Sequence, residues 1–238
     1  MNFLWHRYLA RRDLGSTEAG VGAMLPDLWR MADRRARPGR LQAMTPPALG
    51  DLADGVEHHL AVDAWFHTRP AFDLEVRATA AALRDRAPRS ARLGLFAHAA
   101  WELCLDGALL RRDGIATTRA ALQRELTDEA MARSVDLLVL HRTTTFSGAD
   151  RTAVAERLND LAERLRTSDW IDGYADGEGL AARLDGLRAR LGFEPLTPAE
   201  RGHLAIGLDE RLRAAEATVE DLETSWRRQG ARHAEAAS

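Results

Sequence analysis

The sequence predicts an all-α protein, a compact single-domain helical bundle with no significant sheet. Three observations lead there. Apolar residues recur at 3–4 spacing along nearly the whole chain. β-Branched residues are sparse, and strict alternation is sustained nowhere. Proline or glycine stands at most of the breaks, which sets the expectation at eight to ten helices.

Residues 2–12 read as a short amphipathic helix stopping before Gly15. A second follows over 17–33 and ends in the Arg-rich stretch 34–40 with Pro38 and Gly39. Thr45 before Pro46 and Pro47 is a cap-plus-proline start, opening a long helix to about Thr68. Pro70 begins the next, over 71–86, and Pro88 ends it; another spans 90–112 and stops at Asp113-Gly114. Residues 117–142 are helical with a break near Thr127, whose Thr-Asp-Glu run makes a cap. RTTTFSGAD (142–150) reads as loop, and Val154, Leu158, Leu161 and Leu165 then define a helix face. After a break at Gly173–Gly179, Leu180–Leu191 is helical up to Gly192. Thr197-Pro198-Ala199-Glu200 is a capping signature with Pro at the first helical position. The last helix, 198–228, carries Leu208, Leu212, Ala215, Val219, Leu222 and Trp226 as a heptad seam. The expected layout is a helical domain over 1–196, with a C-terminal amphipathic helix and frayed tail, 197–238, packed on it.

A chain of 238 residues is long enough for a substantial core. Its 33 basic residues, all arginine, meet 36 acidic ones, so a net charge of −3 offers neither nucleic acid nor an anionic membrane a partner. The single cysteine, Cys104, excludes an internal disulfide framework and fits a reducing compartment; it reads as a small buried hydrophobe. No apolar run approaches the ~20 residues of a membrane span, and the opening MNFLWHRYLA lacks a signal-peptide pattern. A cytoplasmic protein is expected. Paired arginines such as Arg111-Arg112 read as a solvated face or as groups that meet an acidic partner. There is no P-loop, dinucleotide fingerprint or nucleophile elbow.

Chemistry-bearing residues concentrate in two helical stretches. His59, Asp63 and His67 stand at i, i+4 and i+8, and His98, Glu102 and Asp106 repeat that spacing. Successive i+4 steps drift by about 40°, so each string holds to one helix face. A lone histidine on a half-apolar helix is most often a satisfied core residue. Two strings of ligand-type residues set among Leu60, Val62, Trp65, Phe66, Leu95, Phe96, Trp101, Leu103 and Leu105 are costly unless paired or metal-bound. Converging helices of a bundle supply divalent-ion ligands in this way. His58 points about 100° away and reads as structural, and Asp106, one turn further out, as solvated. His6 and Asp27 are further candidates; His141, His203 and His233 have no acidic company.

With those residues in view, the chain resembles the acyl carrier protein phosphodiesterase family. MNFLWHRYLA is similar to that family's opening MNFLAH. Gly22-Ala23-Met24-Leu25-Pro26-Asp27 falls at its Gly-Asn-Leu-Leu-Gly-Asp segment, and Gly55 through Asp63 resembles its G-I-x-x-H-R-x-I-D stretch. Pro70, then Asp169-Trp170-Ile171, Tyr174 and Gly179-Leu180, follow in the family's order, so the resemblance covers roughly residues 1–192. His6, Asp27, His59 and Asp63 are kept. The family has an acidic residue where His67 stands, His at Arg69, Asp at His98, and an Asp-His pair at Glu102-Leu103. Each altered acidic position still carries a metal-ligand type.

The resemblance implies a fold like the HD-type metal phosphohydrolases and Mn²⁺-dependent release of phosphopantetheine from acyl carrier protein. It implies metal ligands among His6, Asp27, His59, Asp63, His67, His98 and Glu102, with Asp63 and His59 catalytic. The added imidazoles favour Mn²⁺, Fe²⁺ or Zn²⁺ over Mg²⁺. The expected partner is acyl carrier protein or a small phosphoester, and the C-terminal seam allows a homodimer. Two alternatives stay open: a different metal enzyme on the same bundle, and a non-catalytic helical metal-binding or interaction protein with a remodelled site. His59, Asp63, His67, His98 and Glu102 are expected in one cluster, with His6 and Asp27 nearby, since convergence of the strings separates a metal site from a set of structural histidines.

Overall fold

A computed structural model describes residues 2–36, 45–86, 93–140, 148–167 and 170–237, with the backbone alone at 85–86, 93, 148–149 and 230–237. Among them are ten α-helices and no strand: α1 Phe3–Leu14, α2 Thr17–Ala32, α3 Gly50–His67, α4 Pro70–Arg86, α5 Leu93–Asp113, α6 Ile115–Glu125, α7 Asp128–Leu140, α8 Gly148–Thr167, α9 Gly177–Arg190 and α10 Pro198–Ala237. The all-α class is as expected, and no helix of the described residues is long and apolar enough to cross a membrane.

The helix ends follow local chemistry. Gly15 takes the left-handed conformation (φ 67°) that closes α1, its N–H donating to the Arg11 carbonyl. Ser16 then accepts from the Ala19 N–H to open α2. Thr127 caps α7 at Ala130, which fixes the expected break. Thr197 and Glu200 form a reciprocal capping box: the Thr197 N–H donates to the Glu200 carboxylate at 2.8 Å, and the Glu200 N–H to the Thr197 hydroxyl at 3.3 Å. Several boundaries differ from expectation. α3 begins at Gly50 rather than at the prolines, because Pro47–Leu49 forms a short 3₁₀ turn ahead of it. α9 begins at Gly177 rather than Leu180, because Asp176 accepts from the Gly179 N–H at 2.7 Å. α8 begins at Gly148, inside the expected loop; the rest of that loop before 148, like 37–44 and Pro88, lies outside the described residues. α10 runs to Ala237 instead of fraying after Arg228, since Ala, Arg, Gln and Glu dominate its end and favour helix.

The chain divides into two compact units, each built from two separated segments: Met1–Trp65 with Ala116–Ile171, and Phe66–Ile115 with Asp172–Ser238. In the first, α1 packs on α2, and α2 meets α7 and α8. Trp5, Leu9, Met24, Leu25, Leu28 and Trp29 are fully buried there. Arg7 donates two 2.7 Å hydrogen bonds to Glu125, both residues buried, which pins α1 to the end of α6. On α8 the buried face is Val154, Leu158, Ala162 and Leu165, with Leu161 half-exposed.

In the second unit, α10 packs on α9, α5 and α4. Its seam from Leu208 to Leu222 is buried in its own chain, and Trp226 at the end is half-buried. The Arg111-Arg112 pair is tied down rather than simply solvated. Arg111 reaches the Ala175 carbonyl at 2.6 Å and Glu216 at 3.1 Å, and Arg112 reaches Glu223 at 2.6 Å.

Candidate metal centre

The first group of ligand-type side chains begins with a close helix crossing. A Cβ on Gly22 would sit 2.1 Å from the Leu52 carbonyl oxygen, and one on Gly55 would sit 2.0 Å from that of Ala19. Only hydrogen fits at both positions, so the α2 and α3 backbones approach more closely than side chains permit. One turn beyond Gly55 on α3 comes His59, and one turn beyond Ala19 on α2 comes Ala23. The His59 Nδ1 lies 2.8 Å from the Ala23 carbonyl oxygen. A carbonyl only accepts, so Nδ1 carries a proton, and Nε2 is the nitrogen that the neutral ring would offer to an ion. This is how proteins orient a metal-binding histidine.

His6 arrives from α1, fully buried, its ring stacked on that of His59 with centroids 3.7 Å apart. Its Nε2 is 4.0 Å from Asp63 Oδ1, and the Asp63 side chain is 42% exposed. One ligand atom from each of His6, His59 and Asp63 lies within 4.8 Å of the others. Ligands at about 2.1 Å from a shared ion stand up to ~4.2 Å apart, so small side-chain rotations close the shell. Asp27, one turn past Ala23 on α2, is half-buried and its Oδ2 has no hydrogen-bond partner. A buried carboxylate oxygen in that condition fits a cation nearby.

The second group lies in the other unit. His67 ends α3, while His98 and Glu102 share one face of α5. Glu102 Oε1 is 3.0 Å from His98 Nε2 and 3.6 Å from His67 Nε2. The two imidazoles stack at 4.8 Å, and the Phe72 ring meets both edge-on, at 4.7 and 5.1 Å. These three residues also offer ligand atoms within 4.8 Å of one another. The expected ligands therefore fall into two triads, one in each unit and with Asp27 in neither, and not into the single cluster expected. Both triads can hold a metal ion.

Other expectations resolve individually. His58 pairs with Asp13 at 3.0 Å, a structural contact as its orientation on α3 implied. His203 is exposed; His141 and the side chain of His233 fall outside the described residues. Asp106 is not solvated but fully buried. Every residue from 101 to 110 is buried, because α4, α9 and α10 pack around α5, so the turn beyond Glu102 leads inward. Cys104 is buried as expected, and burial pushes its thiol up from 9.0 to about 12. Sequence reasoning missed the Ala23 carbonyl and Phe72. A main-chain acceptor leaves no mark in residue type, and Phe72 reads as ordinary core.

Comparison of the chain with protein-family models, with curated proteins and with solved structures returns no match.

Proposed function

We propose that the protein is a cytoplasmic, metal-dependent phosphoester hydrolase whose centre is the triad His6, His59 and Asp63. The observation that carries this reading is the 2.8 Å hydrogen bond from His59 Nδ1 to the Ala23 carbonyl, which holds the ring with Nε2 left to serve as a ligand, within a group whose other members are His6 and Asp63. The two imidazoles and the carboxylate form a mixed set that Mn²⁺ accepts, with Fe²⁺ or Zn²⁺ as alternatives. A divalent ion held there supplies Lewis acidity, lowering the pKa of water and polarising phosphate oxygens.

The chain's own groups divide the remaining work. His6 and His59 hold one side of the site rigid and dry, stacked and buried. Asp63, the exposed member, contributes the negative charge that offsets the ion and opens the site to substrate. The substrate proposed is a phosphodiester, with phosphopantetheinyl acyl carrier protein first among them. Its support is the order and spacing of the residues resembling that family, including His6, Asp27, His59 and Asp63. A reducing compartment accords with the one buried cysteine.

The test is hydrolysis of bis-p-nitrophenyl phosphate and of phosphopantetheinyl carrier protein, with Mn²⁺ and after chelation. Asp63→Ala should lower the metal-dependent rate at least ~10–100-fold, while the fold survives loss of an exposed side chain. Asp106 is too buried to serve as a control; the exposed Asp136 serves instead, and Asp136→Ala should leave the rate unchanged. Hydrolysis that persists after exhaustive chelation, or equal rates for the two variants, would overturn the proposal.

A further inference from the structure

We propose that His67, His98 and Glu102 form a self-contained zinc-class site of the second unit, which ties the turn between α3 and α4 to α5. The inference does not depend on the hydrolase reading and takes no residue from the His6 triad.

Geometry is the first support. A tetrahedral Zn²⁺ with bonds of about 2.0–2.1 Å keeps its ligands about 3.3–3.4 Å apart. The Glu102 oxygen stands 3.0 Å from one imidazole Nε2 and 3.6 Å from the other, so the two distances bracket that edge. Both rings address the same carboxylate oxygen through the same nitrogen. A proton on His98 explains the shorter contact as an ordinary hydrogen bond. It does not require the second ring to take the same aim, whereas an ion among the three atoms accounts for both.

The setting is the second support. Glu102 is buried, while the His67 and His98 side chains are 28% and 39% exposed. The anion thus sits at the floor and the imidazoles at the rim. Two imidazoles and one carboxylate with a fourth position open is an established donor set for zinc. Phe72 fixes both rings edge-on, and Phe66 in turn packs on Phe72 at 4.6 Å. Such preorganisation reduces the cost of ordering ligands, and the imidazole majority favours a borderline ion over Ca²⁺ or Mg²⁺.

The spacing gives the site a structural consequence. His98 and Glu102 are one turn apart on α5, and His67 is the last residue of α3, just before the Pro70 start of α4. An ion shared by them closes the chain across α4, and binding to the folded state alone raises its stability.

The experiment uses untagged full-length protein, stripped with chelator and then titrated with Zn²⁺. It reads bound zinc by elemental analysis and unfolding by circular dichroism. Asp63→Ala removes the exposed carboxylate of the other triad, and this variant should still bind one equivalent and gain several degrees in midpoint. Asp63→Ala with Glu102→Gln should bind none and gain nothing; His67→Gln at the half-exposed helix end is a second route to the same loss should the E102Q protein fold poorly. Co²⁺ in place of Zn²⁺ should give the Asp63→Ala protein intense visible bands that E102Q abolishes. One equivalent in both the native protein and Asp63→Ala, lost with E102Q, would uphold this site while telling against the His6 triad. An Asp63→Ala protein that binds no zinc, or a double variant that keeps it, would overturn the inference.

Discussion

At the scale of single residues, side-chain type was legible and partnership was not. The spacing of His59, Asp63, His67, His98 and Glu102 pointed to ligand chemistry, yet what holds the His59 ring in place is the main-chain oxygen of Ala23. The solvated reading of Asp106 failed for the same kind of reason. Its helix position was right, but the neighbours that bury it come from α4, α9 and α10, far along the chain. Cys104 was legible because a lone cysteine among Leu103, Leu105 and Trp101 has little else to be. Its environment has a measurable consequence. Burial raises the thiol from 9.0 to about 12, so the thiolate that reacts with alkylating agents is scarce in the folded protein. Iodoacetamide at pH 8 should leave native protein unmodified and label it fully in denaturant; rapid native labelling would contradict the burial. In linkage terms, an unfolded thiol loses its proton near 9.0 while the folded one holds it to about 12. The contribution is complete below pH 9 and declines as pH rises from there towards 12.

Helices are where the sequence was most readable, and the agreement has a local cause. Gly15, Thr127 and the Thr197–Glu200 box act within a few residues of themselves, so their effect can be read without the rest of the fold. The start of α9 was misplaced because Asp176 lay among glycines that suggested loop. What no local pattern disclosed is the crossing of α2 and α3. Gly22 and Gly55 are unremarkable in sequence, yet both occupy space that a methyl group cannot share with a facing carbonyl. The facing atoms are backbone, so the helices themselves must part. Gly55→Ala should therefore cost about 1–3 kcal/mol of stability by urea denaturation. It should also weaken metal binding, since the same shift withdraws His59 from the Ala23 carbonyl. A variant with unchanged stability and metal affinity would show that the crossing does not set the ligand.

On the scale of the molecule, the all-α class followed from periodicity, which is a property of every segment at once. The division into two units did not follow. Each unit joins an early segment to a late one, and the chain first passes from one to the other within α3, so no linker composition marks the change. The heptad seam of α10 was legible as a buried face, and the partners that bury it, α4, α5 and α9, belong to its own unit. The distribution of ligand residues between the units follows from this division: α3 carries His59 and Asp63 into one and His67 into the other. The claim on which the functional account rests is that an ion binds to His6, His59 and Asp63. The most direct measurement is anomalous diffraction at the manganese edge from crystals of the protein loaded with Mn²⁺. The account expects a peak about 2.0–2.3 Å from His59 Nε2 and from an Asp63 carboxylate oxygen, with His6 Nε2 beside it. Ordered His6, His59 and Asp63 side chains with no peak among them, in crystals soaked at saturating metal, would contradict it.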